Sequence, residues 1–446
     1  MRDGRKVATR SVVHLARPAI RSLEAYSSAR SLAPGDEGSS DEAADTAELT
    51  YLDANEAATE NAAVMHDAER GASLVRYPDP QPADLVARVA ELYGVGQENV
   101  VLGRGADEAI DLCLRVFCRP GLDRILVTPP TYGMYAVSAA IQGAAVQAVP
   151  LLPPMKGMSE AEGLPEAEGQ PEATATGPVP GSVPDGGWAL DVASLVSVCE
   201  AAEGRIKLVF LCSPGNPTGG TIPADVLLDV CAELDGRAVV VVDEAYVEFA
   251  EVESLAPWVA QTPNLVVLRT LSKAWGLAGA RFGMAFAHAD VVALLQKVRA
   301  PYPLATPVIE VVRQALRDDG LARMRANVAA TRARRNALAQ VLARAEAVRE
   351  VFPSEANFLL MRVDDAGRVL TTLKDAGIVV RDRSAVEGLE GCLRISVGSV
   401  DELMRVAEAL GVAAPELEAL ARTESPVPAE STDKDDAVNA ALESVS

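Results

Sequence analysis

The chain has 446 residues, which is long enough for two or three domains. Of these residues, 49% are hydrophobic and 23% charged, a composition typical of globular proteins. Its 41 Lys and Arg stand against 63 Asp and Glu, a net charge of −22. This acidity argues against nucleic acid or an anionic membrane as the main partner, because both require a basic surface. The three histidines, His14, His66 and His288, lack metal-ligand spacing, so we expect no metal site.

The cysteines, one uncharged stretch and the first residues indicate the cellular compartment of the protein. Six cysteines without a CxxC pair predict free thiols in a reducing environment. Residues 125–155 carry no charge, but Pro129, Pro130 and polar residues interrupt them, which argues against a membrane span. The basic first residues lack the apolar segment of a secretory signal. We therefore expect a cytoplasmic protein.

Helical and strand patterns alternate from about residue 83. Apolar runs without alternation, such as residues 238–242, predict strands buried on both faces. The order of elements predicts a mostly parallel, doubly wound sheet, which binds ligands at the carboxyl ends of its strands. The predicted helices are 83–93, 107–117, 191–202 and 224–234, and the predicted strands are 100–102, 125–128, 208–212, 238–242, 265–268 and 282–285.

Two segments do not have the composition of a packed core. Residues 152–187 hold seven Pro and seven Gly in 36 positions, which predicts a disordered-like surface insertion. The acidic tail from residue 413 is predicted to be solvated. Between them, from residue 300, helices over 308–344 and strands at 358–361 and 393–397 predict a smaller α+β domain. A strand at 378–380 is predicted to neighbour strand 393–397, which would bring Arg381 and Arg394 together. The predicted organisation is an N-terminal arm with a small-domain segment (1–75), a large domain (76–299), a small domain (300–412) and the tail (413–446).

Three strand ends carry unusual polar residues. The loop 213–219, with two X-Pro bonds, follows one strand and presents Asn216, although an ordinary turn would also explain it. Asp243 ends a buried strand, where a carboxylate needs a cation or a donor unless it caps a helix. Lys273 follows the next strand between Ser272 and small residues, a position that suits a desolvated amine better than a snorkelling surface lysine.

These three strand ends are expected to converge. They are separated by about 30 residues each, one βα unit, and so lie at the same edge of the sheet. Lysine, carboxylate and phenol are the groups that pyridoxal phosphate needs. Lys273 would form the Schiff base, Asp243 would keep the ring nitrogen protonated, and Asn216 and Tyr246 would bond the ring oxygen.

With these motifs the chain resembles the fold-type-I pyridoxal-phosphate aminotransferases, and within them the histidinol-phosphate aminotransferase family. The resemblance runs from about residue 15 to 410. Beyond the three blocks above, it rests on residues 51–56, 76–78, 103–108, 130–135, 355–358, 381–382 and 393–396. One departure follows Asn55 and Glu56, where Ala57-Ala58 replaces the family's Asn-Pro-type turn.

The resemblance implies a large domain with a mostly parallel seven-stranded sheet, a smaller α+β domain, and specific site residues. Tyr132 would stack on the cofactor ring, unless it is a core tyrosine. Tyr77 would reach the cofactor phosphate of the neighbouring subunit, which implies a homodimer. The implied catalytic residues are Lys273, Asp243 and Tyr246. The implied cofactor phosphate site comprises Gly105, Ala106, Asp107, Thr270, Ser272 and Arg281. The implied substrate-binding residues are Asn55, Asn216, Asn357, Arg381 and Arg394.

The implied reaction is the transamination of L-histidinol phosphate with 2-oxoglutarate to imidazole acetol phosphate and L-glutamate, in histidine biosynthesis. Arg394 is expected to hold the α-carboxylate or its phosphate counterpart, with Arg381 as the outer clamp, because bidentate arginines can bind either anion.

Two alternative functions stay open: another aminotransferase, for example of aromatic amino acids, or a phospho-amino-acid decarboxylase of the same superfamily. A nicotinamide oxidoreductase fits poorly because Glu108 occupies the third glycine position of the dinucleotide motif. A pyridoxal-fold regulator would need a DNA-binding module, for which the flanks are too short and the tail is too acidic.

Overall fold

The computed structural model describes residues 50–53, 55, 77–154 and 187–423. Most of the predicted N-terminal arm and of the insertion 152–187, and the tail beyond Thr423, lie outside the described residues. The predicted domain boundaries stay a prediction. The prediction of a solvated tail from residue 413 is wrong for its first residues, because Pro415–Thr423 is a helix whose Leu417 is fully buried.

The described residues form thirteen strands, together with α-helices and short 3-10 turns. The strands are β1 (Thr50–Tyr51), β2 (Val100–Gly103), β3 (Arg124–Val127), β4 (Ala145–Ala148), β5 (Ile206–Cys212), β6 (Val239–Asp243), β7 (Leu265–Thr270), β8 (Gly283–Ala287), β9 (Val348–Val351), β10 (Phe358–Val363), β11 (Ile378–Val379), β12 (Arg381–Asp382) and β13 (Cys392–Ser396). The α-helices are Ala83–Tyr93, Ala106–Phe117, Met134–Gln142, Val192–Ala201, Ala224–Glu233, Ala289–Val298, Thr306–Ala315, Asp318–Ala343, Ala366–Asp375, Val400–Ala409 and Pro415–Thr423.

The main sheet has seven strands in the order β2-β8-β7-β6-β5-β3-β4. All neighbours pair in parallel except β8, which runs antiparallel to both β2 and β7. The central strands are buried almost throughout because apolar side chains pack on both of their faces. The predicted seven-stranded, mostly parallel sheet is confirmed.

The register of the central strands places their carboxyl ends side by side. Cys212 of β5 pairs with Asp243 of β6, and Asp243 pairs with Leu268 of β7. The loops that follow these strands therefore leave the sheet at one edge, as the spacing of the polar residues predicts.

A second, antiparallel sheet has the order β12-β13-β10-β9. One of its faces packs against the helices of the C-terminal region, with Leu338, Leu373 and Leu403 fully buried in that layer. The other face carries Phe358, Leu360 and Arg394, alternate positions on β10 and β13. This second face looks toward the carboxyl ends of the main sheet.

One prediction for the C-terminal region is wrong: strands 378–380 and 393–397 are not neighbours. Strand 378–380 does not neighbour β13, because β1 takes its backbone acceptors: Thr50 N donates to Gly377 O and Leu52 N to Val379 O, both at 2.9 Å. The strand beside β13 is the separate β12. The predicted helices over 308–344 correspond to two helices, Thr306–Ala315 and Asp318–Ala343. The next helix starts so close to the first that a Cβ on Gly320 would lie 2.1 Å from Ala315 O.

The cysteines and the helices agree with the sequence analysis. All six cysteines are buried and free, as predicted. Burial raises the pKa of Cys113 and Cys231 to about 12. Within the described ranges, no helix combines the length and the apolar character needed to cross a bilayer.

The two ends of the insertion meet at the junction of the sheets. Leu152 N donates to Ala189 O at 2.8 Å, and Ala189 N donates back to Leu152 O at 3.0 Å. Beside this bridge, Trp188 is buried in a small apolar cluster that includes Phe352 and Leu389. Residues 152 and 189 are thus held side by side.

Candidate active site

A cavity of about 500 Å³ lies between the carboxyl ends of β5, β6 and β7 and the second sheet. It brings together fourteen of the side chains and backbone positions singled out in the sequence. They are Asn55, Gly105, Ala106, Asp107, Tyr132, Asn216, Asp243, Tyr246, Thr270, Ser272, Lys273, Arg281, Arg381 and Arg394.

One end of the cavity is an anion cradle at the start of the helix Ala106–Phe117. Gly105 precedes that helix with φ +95°, a conformation that favours glycine, and a Cβ there would lie 3.3 Å from Arg281 Nη2. Across the cradle, the hydroxyls of Thr270 and Ser272 are 2.9 Å apart. Backbone N–H groups at a helix N-terminus, hydroxyls and a guanidinium together suit a phosphate group.

Asp243 is a carboxylate enclosed in the protein interior. It is 3% exposed, and two neutral groups donate to it: Tyr135 Oη to Oδ2 at 2.8 Å and Ala245 N to Oδ1 at 3.1 Å. Burial raises its pKa to about 6. A positive charge placed against this carboxylate would be strongly favoured, because it would stabilise the ionised form in a medium with little water. The environment therefore fits a protonated ring nitrogen.

Tyr135 is a residue whose contact with Asp243 the sequence analysis missed. Its ring stacks on Phe210 at 4.8 Å, which fixes the hydroxyl beside the carboxylate. The two residues are 108 positions apart, so no local pattern in the segment 130–135 predicts the contact.

Lys273 and Tyr246 face each other across the centre of the cavity. Lys273 Nζ lies 5.7 Å from the centroid of the Tyr246 ring. The phenol oxygen accepts hydrogen bonds from Asn55 Nδ2 at 3.1 Å and from Asn216 Nδ2 at 3.4 Å. Burial raises the pKa of Tyr246 to about 12, so the phenol keeps its proton. Because both amides donate to it, its own O–H can donate to a ligand.

The loop that carries Asn216 and the ring of Tyr132 complete the large-sheet side. The Ser213-Pro214 and Asn216-Pro217 peptide bonds are both cis, and Gly215 N closes the loop on Gly220 O at 2.7 Å. Tyr132 Oη donates to Asp107 Oδ1 at 3.0 Å, and burial raises the pKa of this phenol. The ring of Tyr132 is thereby held as a wall of the cavity.

The second sheet contributes arginines to the opposite wall. Arg394 is 4% exposed and donates through Nη1 to Asn216 Oδ1 and through Nη2 to Asp53 O, both at 2.6 Å. Arg381 lies opposite Arg394 in the β12–β13 ladder. Arg383, which the sequence analysis did not single out, also lines the cavity. In all, five cationic side chains face three carboxylates in the cavity lining.

Two predicted site residues do not line the cavity. Asn357 is 1% exposed and lies behind Asn55, to whose carbonyl oxygen its Nδ2 donates at 2.9 Å. Asn357 thus contacts Asn55, which lines the cavity, and its role as a direct substrate contact stays a prediction. Tyr77 is 79% exposed and stacks on Tyr302, with ring centroids 4.4 Å apart.

Comparison with known proteins gives consistent similarities. The family model described as Aminotransferase class I and II matches residues 45–410. The chain is 42% identical over 398 residues to the histidinol-phosphate aminotransferase of Xylella fastidiosa (strain 9a5c), covering 89% of this chain and 96% of that protein. It is 41% identical over 401 residues to the enzyme of the same name from Xanthomonas euvesicatoria pv. vesicatoria (strain 85-10), covering 90% and 97%.

Among solved structures, the chain shares its fold with the histidinol-phosphate aminotransferase of Sinorhizobium meliloti in complex with pyridoxal-5'-phosphate. The TM-score is 0.68 at 22% identity, covering 84% of this chain and 92% of that one. At that identity the likeness concerns the fold. The similarity in sequence is to the two relatives from Xylella and Xanthomonas, and it extends over about nine tenths of this chain.

Proposed function

The chain belongs to the class I and II aminotransferases, and from that membership we propose that it exchanges amino groups between L-histidinol phosphate and 2-oxoglutarate, a step of histidine biosynthesis. The observation that carries the proposal is the cavity in which Lys273 and Asp243 meet the arginines of the second sheet. The names of the relatives at 41–42% identity support the choice of substrate.

Pyridoxal 5'-phosphate is the cofactor that these residues fit. When bound, it supplies an aldehyde that condenses with amines and a pyridine ring that accepts an electron pair. The cradle of Gly105, Thr270, Ser272 and Arg281 would hold its phosphate. Asp243 would face the ring nitrogen, Asn216 and Tyr246 the ring hydroxyl, and Tyr132 one face of the ring.

The protein's own part in the reaction is to hold and move protons. The Nζ of Lys273 takes the proton from the substrate carbon that bears the amino group, and returns one there in the reverse half-reaction. Asp243, buried and ionised against a cation, keeps a proton at the ring nitrogen. Tyr246 donates its hydrogen into the cavity. Arg394, aimed by Asn216 and Asp53, orients the substrate anion.

A screen of the amino-donor half-reaction tests the function. The yellow holoenzyme is mixed with L-histidinol phosphate, L-glutamate or an aromatic amino acid, and absorbance follows conversion to the pyridoxamine form. We expect fast conversion by the first two. Conversion by the aromatic amino acid alone would favour the aromatic aminotransferase. Carbon dioxide release without 2-oxoglutarate would favour the decarboxylase.

We also propose a homodimer in which Tyr77 reaches the cofactor phosphate of the partner subunit. Tyr77 is exposed outside the cavity of its own chain, and its ring is held by Tyr302. Tyr77→Phe should weaken cofactor retention by about tenfold, the loss of one charge-assisted hydrogen bond. Equilibrium dialysis measures the cofactor Kd, and sedimentation the oligomeric state. A monomer, or an unchanged Kd, would contradict the proposal.

The compartment that we propose is the cytoplasm. All six cysteines are buried free thiols, which suits a reducing environment. Cell fractionation with an antibody against the native chain tests it.

Arg381→Ala should raise the KM for histidinol phosphate more than the KM for unphosphorylated histidinol. A charge-assisted hydrogen bond contributes roughly 1.5–3 kcal/mol, so we expect a difference of about ten- to hundredfold. Steady-state kinetics with both amines measure it. Arg394→Lys is the comparison, because Arg394 is expected to serve both substrates and should weaken both half-reactions. Equal losses with both amines in the Arg381 variant would remove this residue from phosphate recognition.

A further inference from the structure

Arg383 follows directly after β12 (Arg381–Asp382), two residues along the chain from Arg381. Arg381 lies opposite Arg394, and the backbone continues the ladder, with Arg383 N donating to Cys392 O at 2.9 Å. Side chains two apart on a strand point to the same face. The side chains of Arg381, Arg383 and Arg394 accordingly line the same cavity.

The backbone around Arg383 is tightly held. Val386 N donates to Arg383 O at 2.9 Å, and Ser384 N donates to Asp382 Oδ1 at 2.8 Å. The intervening Asp382 is exposed and points to the other face of the strand. Its carboxylate therefore does not stand between the two arginines. The buried side chains of Leu389 and Cys392 anchor the returning end of the loop.

The other cations of the cavity have different tasks. Arg394 is directed by Asn216 and Asp53. Arg281 lies at the opposite end beside Gly105, and its Nη2 is 3.5 Å from Asp107 Oδ2. Arg381 and Arg383 are the remaining two arginines of the cavity lining, on the side of the second sheet.

A pair of guanidiniums suits a phosphate ester better than a carboxylate. A phosphate ester is close to a dianion at neutral pH and offers three acceptor oxygens, whereas one guanidinium fork engages two oxygens. In a chain of net charge −22, two adjacent arginines also supply a local positive field for a dianion.

We infer that Arg383 is a second phosphate-binding guanidinium, which together with Arg381 sets the preference of the enzyme for phosphorylated over unphosphorylated amines. The inference rests on the proposed function, since it assigns the outer subsite for the same substrate. Arg383 acts in specificity, and the proton transfers at Lys273 do not involve it.

The test compares Arg383→Gln and Arg383→Lys with a matched control, Arg368→Gln, which removes the same charge from an exposed position on the helix Ala366–Asp375. For each holoenzyme, kcat/KM is measured with histidinol phosphate, histidinol and glutamate. Arg383→Gln should lower the ratio of the first two values by about ten- to hundredfold, and the loss should be larger with histidinol phosphate than with glutamate. Arg383→Lys should lie between, because lysine keeps the charge without the fork. The control should match wild type.

Two results would overturn the inference: an unchanged ratio in Arg383→Gln, or equal losses with all three substrates in both Arg383 variants. Failure of the proposed function is a separate result, namely wild-type enzyme that converts glutamate but not histidinol phosphate. In that event, inorganic phosphate is used as the competitor of the glutamate half-reaction. Weaker inhibition of Arg383→Gln than of wild type supports the phosphate subsite, and equal inhibition overturns it.

Discussion

Replacing Lys273 with alanine should abolish transamination while leaving the fold intact. The side chain projects from the turn after β7 into the cavity, so its loss removes little from either core layer. Lys273 is the one lysine among the described residues that line this cavity. Because it would both carry the cofactor and move the proton, the loss should reach at least about 10⁴-fold.

Two measurements check this expectation. Single-turnover absorbance with glutamate reports the half-reaction of the variant. Borohydride reduction of the wild-type holoenzyme, followed by peptide mass spectrometry, should place the cofactor on Lys273. Lys297→Ala, at an exposed position of the helix Ala289–Val298, is the control and should keep full activity. A label on any other lysine would overturn the assignment.

Asp243→Asn should retain the cofactor and lose roughly 10³-fold or more of the activity. The carboxylate is 3% exposed at the end of β6, where its attraction to a protonated ring nitrogen is only weakly screened. A neutral amide of the same shape cannot hold that proton, and a loss of several kcal/mol in the transition state corresponds to this factor. Turnover within tenfold of wild type would make Asp243 a structural residue. The exposed Asp235→Asn serves as the control.

The cofactor-free protein offers a second readout for Asp243. Burial raises the pKa of its carboxyl from 3.8 to about 6 in the folded state. The folded state then holds the proton more tightly than the unfolded chain, so stability falls as the pH rises from about 4 to 6. The shift corresponds to about 3 kcal/mol. Denaturant unfolding across this range should show a steeper decline in wild type than in Asp243→Asn.

The main sheet could be predicted from the sequence because its central strands are buried on both faces. The predicted strand 238–242 differs from β6 (Val239–Asp243) by only one residue at each end. The agreement is close because an unbroken apolar run is stable only in the protein interior. The edge strand β4 (Ala145–Ala148) was not identified as a strand. Most of its residues are exposed, so no burial pattern marks it. The same reason applies to β9 (Val348–Val351), which is only partly buried.

Some site residues are marked by the sequence around them, whereas others depend on contacts between distant parts of the chain. Lys273, Asp243 and Asn216 could be found because each follows a recognisable buried strand. Tyr135 and Arg383 could not, because no local pattern shows the contact of Tyr135 with Asp243 or the position of Arg383 in the cavity wall. Asn357 lies in a matching motif, yet the motif could not reveal its contact with Asn55.

The hydrogen-bonded bridge between Leu152 and Ala189 makes the geometry of the sheet independent of how many residues join these two positions. The residues on either side of the segment 155–186 are already tied together, so the ends of whatever joins them are fixed by the packed structure. The entropy of closing a flexible loop grows only logarithmically, and each doubling of its length costs about 0.6 kcal/mol more. Evolution can lengthen or shorten the sequence at this point with little consequence for the catalytic framework. The same bridge offers protein engineers a graft point, where a tag or a whole folded module can be inserted with both of its junctions held side by side.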